Sequence, residues 1–437
     1  MKKSFVALAS LTAVGVASAQ SSVTLFGVVD ASVSRYSSTA ERVGVNPFTS
    51  PSLTAPVRIK QSQTVLGNSG YNSSRVGFRG TEDLGGGLAA SFWLEADISN
   101  DDGSKGLDNF NRRSTVSFSG GFGEVRLGRD YVPTFWNDAV FDPFGINGVG
   151  RSVILSTNAR LTALRGPGAV SGRPPTDNYV RASNSIGYFL PAGLGGFFGQ
   201  VQYAFPETIK NSGLEQSQRG RYVGGRFGYA QGPLTTAIAY GQSIAVDTPS
   251  IVTGLAIGNR QERKLNIFNV GASYDFGPVK LFGELSQVKD KNEIGATSAL
   301  AGIPVFVNTS QTDKYNGALL GVTIPVGVSL IRVSYGRVKF DNGAAPAVRT
   351  SLFTTSNLDA TANELSVGYV HNLSKRTALY ATVVKLKIKD GQNSQVLGGQ
   401  SVAQSNGTNP SGGVGTFPAG YTLRHSMGYD FGIRHAF

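Results

Sequence analysis

The side chains able to do chemistry are unevenly supplied. Cysteine is absent, which removes disulfides, thiolate metal sites and thiol nucleophiles. The three histidines, His371, His425 and His435, show no metal-ligand spacing. Serines are frequent, but no Gly-x-Ser-x-Gly turn presents one as a nucleophile. Gly85-Gly86-Gly87-Leu88 is a turn and not a phosphate cradle, because no helix pattern follows it. Catalysis needs a nucleophile with a base, and none is assembled, so no enzyme activity, cofactor or metal is expected. What remains is fixed positive charge. Forty Lys and Arg face 28 Asp and Glu, a formal net charge of +12. Arg75 and Arg79 share one face of a period-two segment, opposite Val76 and Phe78, and Arg113 lies opposite Val116 and Phe118. A guanidinium keeps its proton, so such residues on a wet wall attract anions at any ordinary pH. One unit charge ~8 Å from an ion in water contributes ~0.5 kcal/mol, and four give about 2 kcal/mol at low salt. At ~0.15 M salt the Debye length is itself ~8 Å, so the effect falls several-fold. That is steering rather than binding.

The elements that must carry these charges are strands. Phe268, Val270, Ala272, Tyr274 and Phe276 alternate with Asn269, Gly271, Ser273 and Asp275. Leu365, Val367 and Tyr369 alternate with Glu364, Ser366 and Gly368. From Leu423 through His425, Met427, Tyr429, Phe431, Ile433 and His435 to Phe437, every second residue takes one face. Ala378, Tyr380, Thr382, Val384, Leu386 and Ile388 oppose Lys385, Lys387 and Lys389, which sets the lysines on the polar, inward parity. Around Arg332 to Lys339 the polarity slips phase, as at a bulge or where a strand leaves a bilayer.

Connections alternate in length. Seven short Gly-, Pro- or Asn-bearing turns fall near 83–87, 120–122, 192–195, 231–233, 277–278, 325–327 and 372–374. Eight long polar stretches fall near 37–72, 98–109, 131–180, 206–219, 244–262, 290–313, 340–361 and 389–421. Fifteen connections in an up-and-down meander join sixteen strands, with both ends on the short-turn side, where first and last can pair. Short turns on one side and long loops on the other describe an all-β, sixteen-stranded antiparallel transmembrane β-barrel. A soluble sandwich gives no cause for that asymmetry, and no propeller-blade repeat is present. Closure is compulsory in lipid, where an unpaired backbone group has no water to bond.

Residues 1–19 read as a secretory signal peptide: Lys2 and Lys3, the apolar run Phe5 to Val16, then Ala17-Ser18-Ala19. Removal takes two lysines and no acid, leaving residues 20–437 at +10 as the barrel. After residue 19 no run of eighteen apolar residues occurs, so no spanning helix is expected.

Several stretches then resemble a known family. "SSVTLFGVVDASVS" resembles an opening strand, "SSRVGFRGTEDLGGGLAASFWLE" the second hairpin, and "FNRRSTVSFSGGFGEVRLGRDYVPTF" the fourth and fifth strands of the general diffusion porins of Gram-negative outer membranes, especially the β-proteobacterial type. The likeness covers the whole chain after residue 19. It implies a homotrimer of barrels in the outer membrane, each with a water-filled pore narrowed by an inward-folded third loop, here 131–180. That stretch carries Phe135, Trp136, Phe141, Phe144 and Ile146, apolar surface that should pack against the barrel wall. Implied partners are outer-membrane lipid, the barrel assembly machinery, and small hydrophilic solutes and anions. Export and dispersed arginines argue against nucleic acid. Tyr429, Phe431 and Phe437, with Ile433, resemble the family's C-terminal assembly signal.

The resemblance also implies a pore constriction. Arg75 matches the first arginine of the family's Arg-x-Gly-Phe pattern and Arg79 its following basic position. Arg129 matches the arginine of Leu-Gly-Arg, and Arg181, in "YVRASNSIGYF", the arginine entering the next strand. Alternation does not place Arg129, which shares parity with Val125 and Leu127. Arg113 joins the set from its parity. The family's Pro-Glu-Phe-Gly is replaced by Asp142-Pro143-Phe144-Gly145, so Asp138 and Asp142 are the carboxylates left to oppose the arginines, and the constriction is expected to be net basic. Three functions are open: a passive, weakly anion-preferring porin, a selective channel for an anionic nutrient, and an enzyme or adhesin on a barrel scaffold. The first is expected, and single-channel conductance separates them.

Overall fold

Polarity runs inside out. The computed structural model describes residues 22–42, 56–165, 178–207, 217–248, 252–253, 256–257, 260–300, 303–343, 350–351, 354–355, 359–391, 394–397 and 421–437. The signal-peptide reading of 1–19 lies outside them. Many buried positions along the strands are polar, among them Ser32, Ser34, Glu284, Ser286, Ser334 and Ser366. Exposed ones are large and apolar: Leu320 is 70% and Phe431 64% exposed. A soluble protein hides such residues, whereas a lipid-facing wall displays them.

One sheet holds the main strands, numbered in chain order: β1 Ser22–Arg42, β2 Arg58–Asn68, β3 Arg75–Gly85, β4 Leu88–Asp97, β5 Arg113–Gly120, β6 Gly123–Tyr131, β7 Arg181–Phe189, β8 Phe197–Ala204, β9 Tyr222–Gln231, β10 Leu234–Thr248, β11 Arg260–Asp275, β12 Lys280–Leu300, β13 Ile303–Val326, β14 Ser329–Asp341, β15 Ala360–Asn372, β16 Thr377–Lys389 and β17 Tyr421–Ala436. Successive strands pair antiparallel. β2 and β3 share one place in the wall: β1 pairs with β2 from Ala31↔Asn68 to Glu41↔Arg58 and with β3 from Ser22↔Thr81 to Val28↔Arg75. On its other edge β1 pairs with β17 from Val28↔Ala436 to Arg42↔Tyr421. The result is a closed barrel of sixteen strand positions, and all seven short turns fall between strands as expected.

Four readings change. The stretch 290–313, expected as a loop, is largely ladder, with β12 and β13 paired out to Leu300↔Ile303. The slip around Arg332 to Lys339 is no bulge, since β14 keeps unbroken register with both neighbours. Arg332, Ser334, Val338 and Phe340 are buried while Tyr335 is 49% exposed, so the backbone keeps period two and only the chemistry inverts. Lys385, Lys387 and Lys389 are exposed on the same parity as Val383, and the alternate residues Val384, Leu386 and Ile388 are buried. The lysines therefore point outward. The cause is the level in the wall: beyond the lipid belt the outside is water, while the inside is filled by apolar side chains of the 131–180 stretch. Val153, Ile154, Leu155 and Leu161 form one buried cluster with Leu265, Ile267, Val338, Phe340, Leu386 and Ile388. Leu423 also turns inward, 4% exposed, because the β1–β17 register steps from Thr39↔His425 to Ala40↔Leu423 and skips Arg424.

Two helices lie in the long stretch after β6: α1 Pro133–Phe141 and α2 Val153–Arg165. Pro133 opens α1 at the position where its missing N–H costs nothing.

Candidate functional site

The charged wall is built where β3, β4, β5, β6 and β9 turn the same parity toward the barrel axis. A cavity of 660 Å³ is lined there by Arg75, Arg112, Arg113, Arg126 and Arg226, with Glu95 and Asp130 as its carboxylates. Five arginines against two carboxylates leave three net positive charges. A second cavity of 390 Å³ includes Arg79, Glu124, Ser22 and Thr24. Trp93, Arg113 and Arg126 line both, so they stand at the neck between the two.

Each guanidinium is held in place. Glu95 accepts from Arg112 Nε at 2.6 Å and lies 3.6 Å from Arg75 Nε. Arg126 donates bidentately to Glu124, at 2.9 Å in both bonds, and to Asp130 at 2.5 Å. Arg113 lies 3.8 Å from Asp130 and 4.5 Å from the centre of the Trp93 ring. Arg79 stacks over Trp93 at 5.1 Å, Arg126 over Phe189 at 4.0 Å, and Arg226 over Phe198 at 4.8 Å. Planar stacking orients a guanidinium without spending its donors. Arg226 donates Nε to Asn137 Oδ1 at 2.9 Å and has no carboxylate partner among the described residues.

The residues named from the sequence divide by place. Arg75 and Arg113 line the larger cavity, Arg79 and Arg113 the smaller. Arg129 lines neither; it donates Nε to the Asn111 carbonyl at 2.6 Å and Nη1 to Ser183 Oγ at 2.8 Å. Its parity was ambiguous because the β6–β7 register shifts there, after Gly128, whose φ of 120° suits no other residue well. Arg181 lies over the Tyr131 ring at 4.5 Å and donates to its hydroxyl. Asp138 and Asp142 line neither cavity and are 1% and 4% exposed. Asp138 accepts from Tyr179 Oη at 2.5 Å, from Asn158 Nδ2 at 3.2 Å, and from Asn269 Nδ2 on β11. Asp142 accepts the N–H groups of Phe144 at 2.9 Å and Ser152 at 2.7 Å. Burial pushes the Asp142 carboxyl up to about 7, against the pull of those N–H groups and of Arg332 and Arg151. Burial also raises Asp138. Asp138 fastens the stretch to the wall through Asn269, whereas Asp142 ties the stretch to itself between Phe144 and Ser152.

Arg112, Arg126, Arg226, Glu95, Glu124 and Asp130 were missed. Arg126 had a signal, since it opposes Val125 and Leu127 just as Arg113 opposes Val116. Arg226 had the same one, between Gly225 and Phe227 on β9.

The 131–180 stretch touches widely separated strands. Asn137 donates to the Ala237 carbonyl at 3.4 Å and to Asn269 at 3.0 Å, on β10 and β11. Val149 N donates to Asp430 at 2.8 Å on β17, and Asn147 accepts from Ser73 at 2.6 Å, beside β3.

The comparisons agree with this geometry. The Gram-negative porin family pattern matches residues 6–391. The chain is 39% identical over 438 residues to outer membrane porin protein 32 of Delftia acidovorans, covering 100% of both. It is 29% identical over 395 residues to an outer-membrane porin of Bordetella pertussis, covering 87% of this chain and 93% of that one. The solved structure of an anion-selective porin from Comamonas acidovorans matches with a TM-score of 0.65 at 36% identity, over 96% of this chain and all of that one. The chain belongs to the Gram-negative porin family and is an outer-membrane porin.

Proposed function

We propose that the barrel is a passive, water-filled channel for small hydrophilic solutes and ions, with a weak preference for anions, and that residues 20–437 form this unit after residues 1–19 are removed. One observation carries the reading: the cavity lining holds five arginines against two carboxylates, and the neck is formed by Arg113, Arg126 and Trp93. The porin from Comamonas acidovorans, anion-selective by name, supports the same preference here.

The stretch 131–180 is proposed to fold inward and narrow the pore. Its contacts with β10, β11 and β17 support this, because an outer loop could not reach opposite walls. Arg75, Arg79, Arg113 and Arg126 are proposed to set the preference. Arg129 and Arg181 are proposed to brace the wall, Asp138 to anchor the loop to it, and Asp142 to hold the loop's own turn. The barrel is proposed to assemble as a homotrimer through the barrel assembly machinery and to carry no enzyme activity, as the family resemblance implies. The zero-current potential across a potassium chloride gradient tests the preference.

A further inference from the structure

A helix face turned to a water-filled channel is expected to be polar, and α1 departs from this. Trp136 is 41% and Val140 36% exposed, and Ala139 lies between them. Trp136 and Ala139 line the same 660 Å³ cavity as Arg75, Arg113, Arg126 and Arg226. The other face of α1 is committed: Thr134, Asn137, Asp138 and Phe141 are buried against the wall. The apolar stripe is thus not the residue of a core face, and among the described residues the indole stays 41% exposed. Tyr131 flanks it, with ring centres 5.4 Å apart.

The cavity therefore has two unlike walls. One offers guanidiniums fixed on aromatic rings, five arginines against the three carboxylates Glu95, Asp130 and Glu124 that pair with them. The other offers a flat, half-exposed indole. A halide or a short-chain carboxylate engages only the first wall and leaves Trp136 wet. A sugar engages the second and leaves the charge unmatched. A ligand with a carboxylate at one end and a ring at the other matches both, and the volume falls within the ~300–1,000 Å³ of small-ligand sites. Arginine suits the carboxylate by its paired planar donors, and an indole suits the ring by offset stacking.

We propose that this cavity is a low-affinity site for aromatic monocarboxylates, which bind with the carboxylate on the arginine wall and the ring against Trp136. The inference rests on the anion preference proposed above and adds a specificity to it. Low affinity follows from function, because a conducting site must release what it takes.

The test uses the purified full-length channel in planar bilayers, with chloride current measured while sodium benzoate or sodium acetate is added. Benzoate reduces the current saturably, with a half-effect concentration about tenfold below that of acetate, the factor expected of one stacking contact. Trp136→Ala raises chloride conductance, because the smaller side chain widens the passage, and moves the benzoate half-effect to the acetate value. Trp136→Phe keeps the benzoate preference, which separates loss of the ring from a misfolded loop. Equal effects of benzoate and acetate on the wild type overturn the inference, as does an unchanged benzoate response in Trp136→Ala. The zero-current potential in potassium chloride is read on the same channels. A channel that prefers chloride but treats the two carboxylates alike overturns this inference alone, whereas one that prefers potassium overturns the anion preference beneath it.

Discussion

The ring of Phe437 lies over Gly27, and the two residues exchange both backbone hydrogen bonds, each at 3.1 Å. This pair is the seam of the barrel at its short-turn rim. A Cβ added at Gly27 would overlap the Phe437 ring, so any larger residue there must push the ring off the seam. The outward surface at Gly27 is filled by the Phe437 ring of the same chain. Gly27→Val should lower the amount of heat-resistant folded barrel in the outer membrane several-fold, and deletion of Phe437 should do the same. Single-channel conductance of whatever barrel does form should stay near that of the wild type. Wild-type membrane levels of both variants would show that the seam does not limit assembly.

Strand number and turns were legible in this chain because two local signals agree: side chains alternate with period two, and Gly, Pro and Asn mark the short turns. Side-chain direction was legible only at the level of the lipid. Tyr274, Tyr369 and Phe431 face outward as their alternation implies. Lys385 and Leu386 reverse it, because the solvent outside changes from lipid to water while the interior fills with Ile154, Leu155 and their neighbours. No local pattern states that the inside is plugged. The acids were misplaced for a related reason. Asp138 and Asp142 sit on or beside a helix whose 3.6-residue period decides which side faces the cavity, and a stretch treated as a loop has no such period.

The lysines offer a check on that reversal. Replacing Lys385, Lys387 and Lys389 together by glutamine removes three positive charges from the outer face. The zero-current potential should change less than it does on the single replacement Arg113→Ser, whose charge lies at the neck. A larger shift in the triple variant would place the lysines on the ion path.

Docking of the 131–180 stretch should depend on pH through Asp142. Its carboxyl titrates near 3.8 when free and at about 7 when buried. The folded form therefore keeps a proton that the unfolded form has lost across that window. Stability from this group is complete below about pH 4 and is lost as pH rises through about 7. A shift of about three pH units sets an upper bound of roughly 4 kcal/mol. Arg151 and Arg332 favour the ionised form and Glu364 opposes it. Thermal unfolding of the barrel should have a higher midpoint at about pH 5 than at about pH 8, and Asp142→Asn should flatten the difference. A midpoint that rises with pH in the wild type would contradict the burial of this carboxyl.

Oligomeric state is the next expectation. Detergent-solubilised protein should have the protein mass of three chains of 45.9 kDa, less the signal peptides. A particle with the mass of one chain would remove the trimer from the account.

The central claim is that fixed arginines at the neck, not loop charge, filter ions. The measurement is the zero-current potential across a potassium chloride gradient, at low and at high salt, for the wild type and for Arg113→Ser/Arg126→Ser. The wild type should favour chloride. The double variant removes two positive charges and uncovers Glu124 and Asp130, which both pair with Arg126. Its chloride-to-potassium ratio should fall by up to about thirtyfold at low salt, because losing two charges at ~8 Å in water disfavours chloride by ~1 kcal/mol and favours potassium by as much. The shift should shrink at high salt, because the neck is wet and screened. A wild type that favours potassium, or a double variant with the wild-type potential, would contradict the claim.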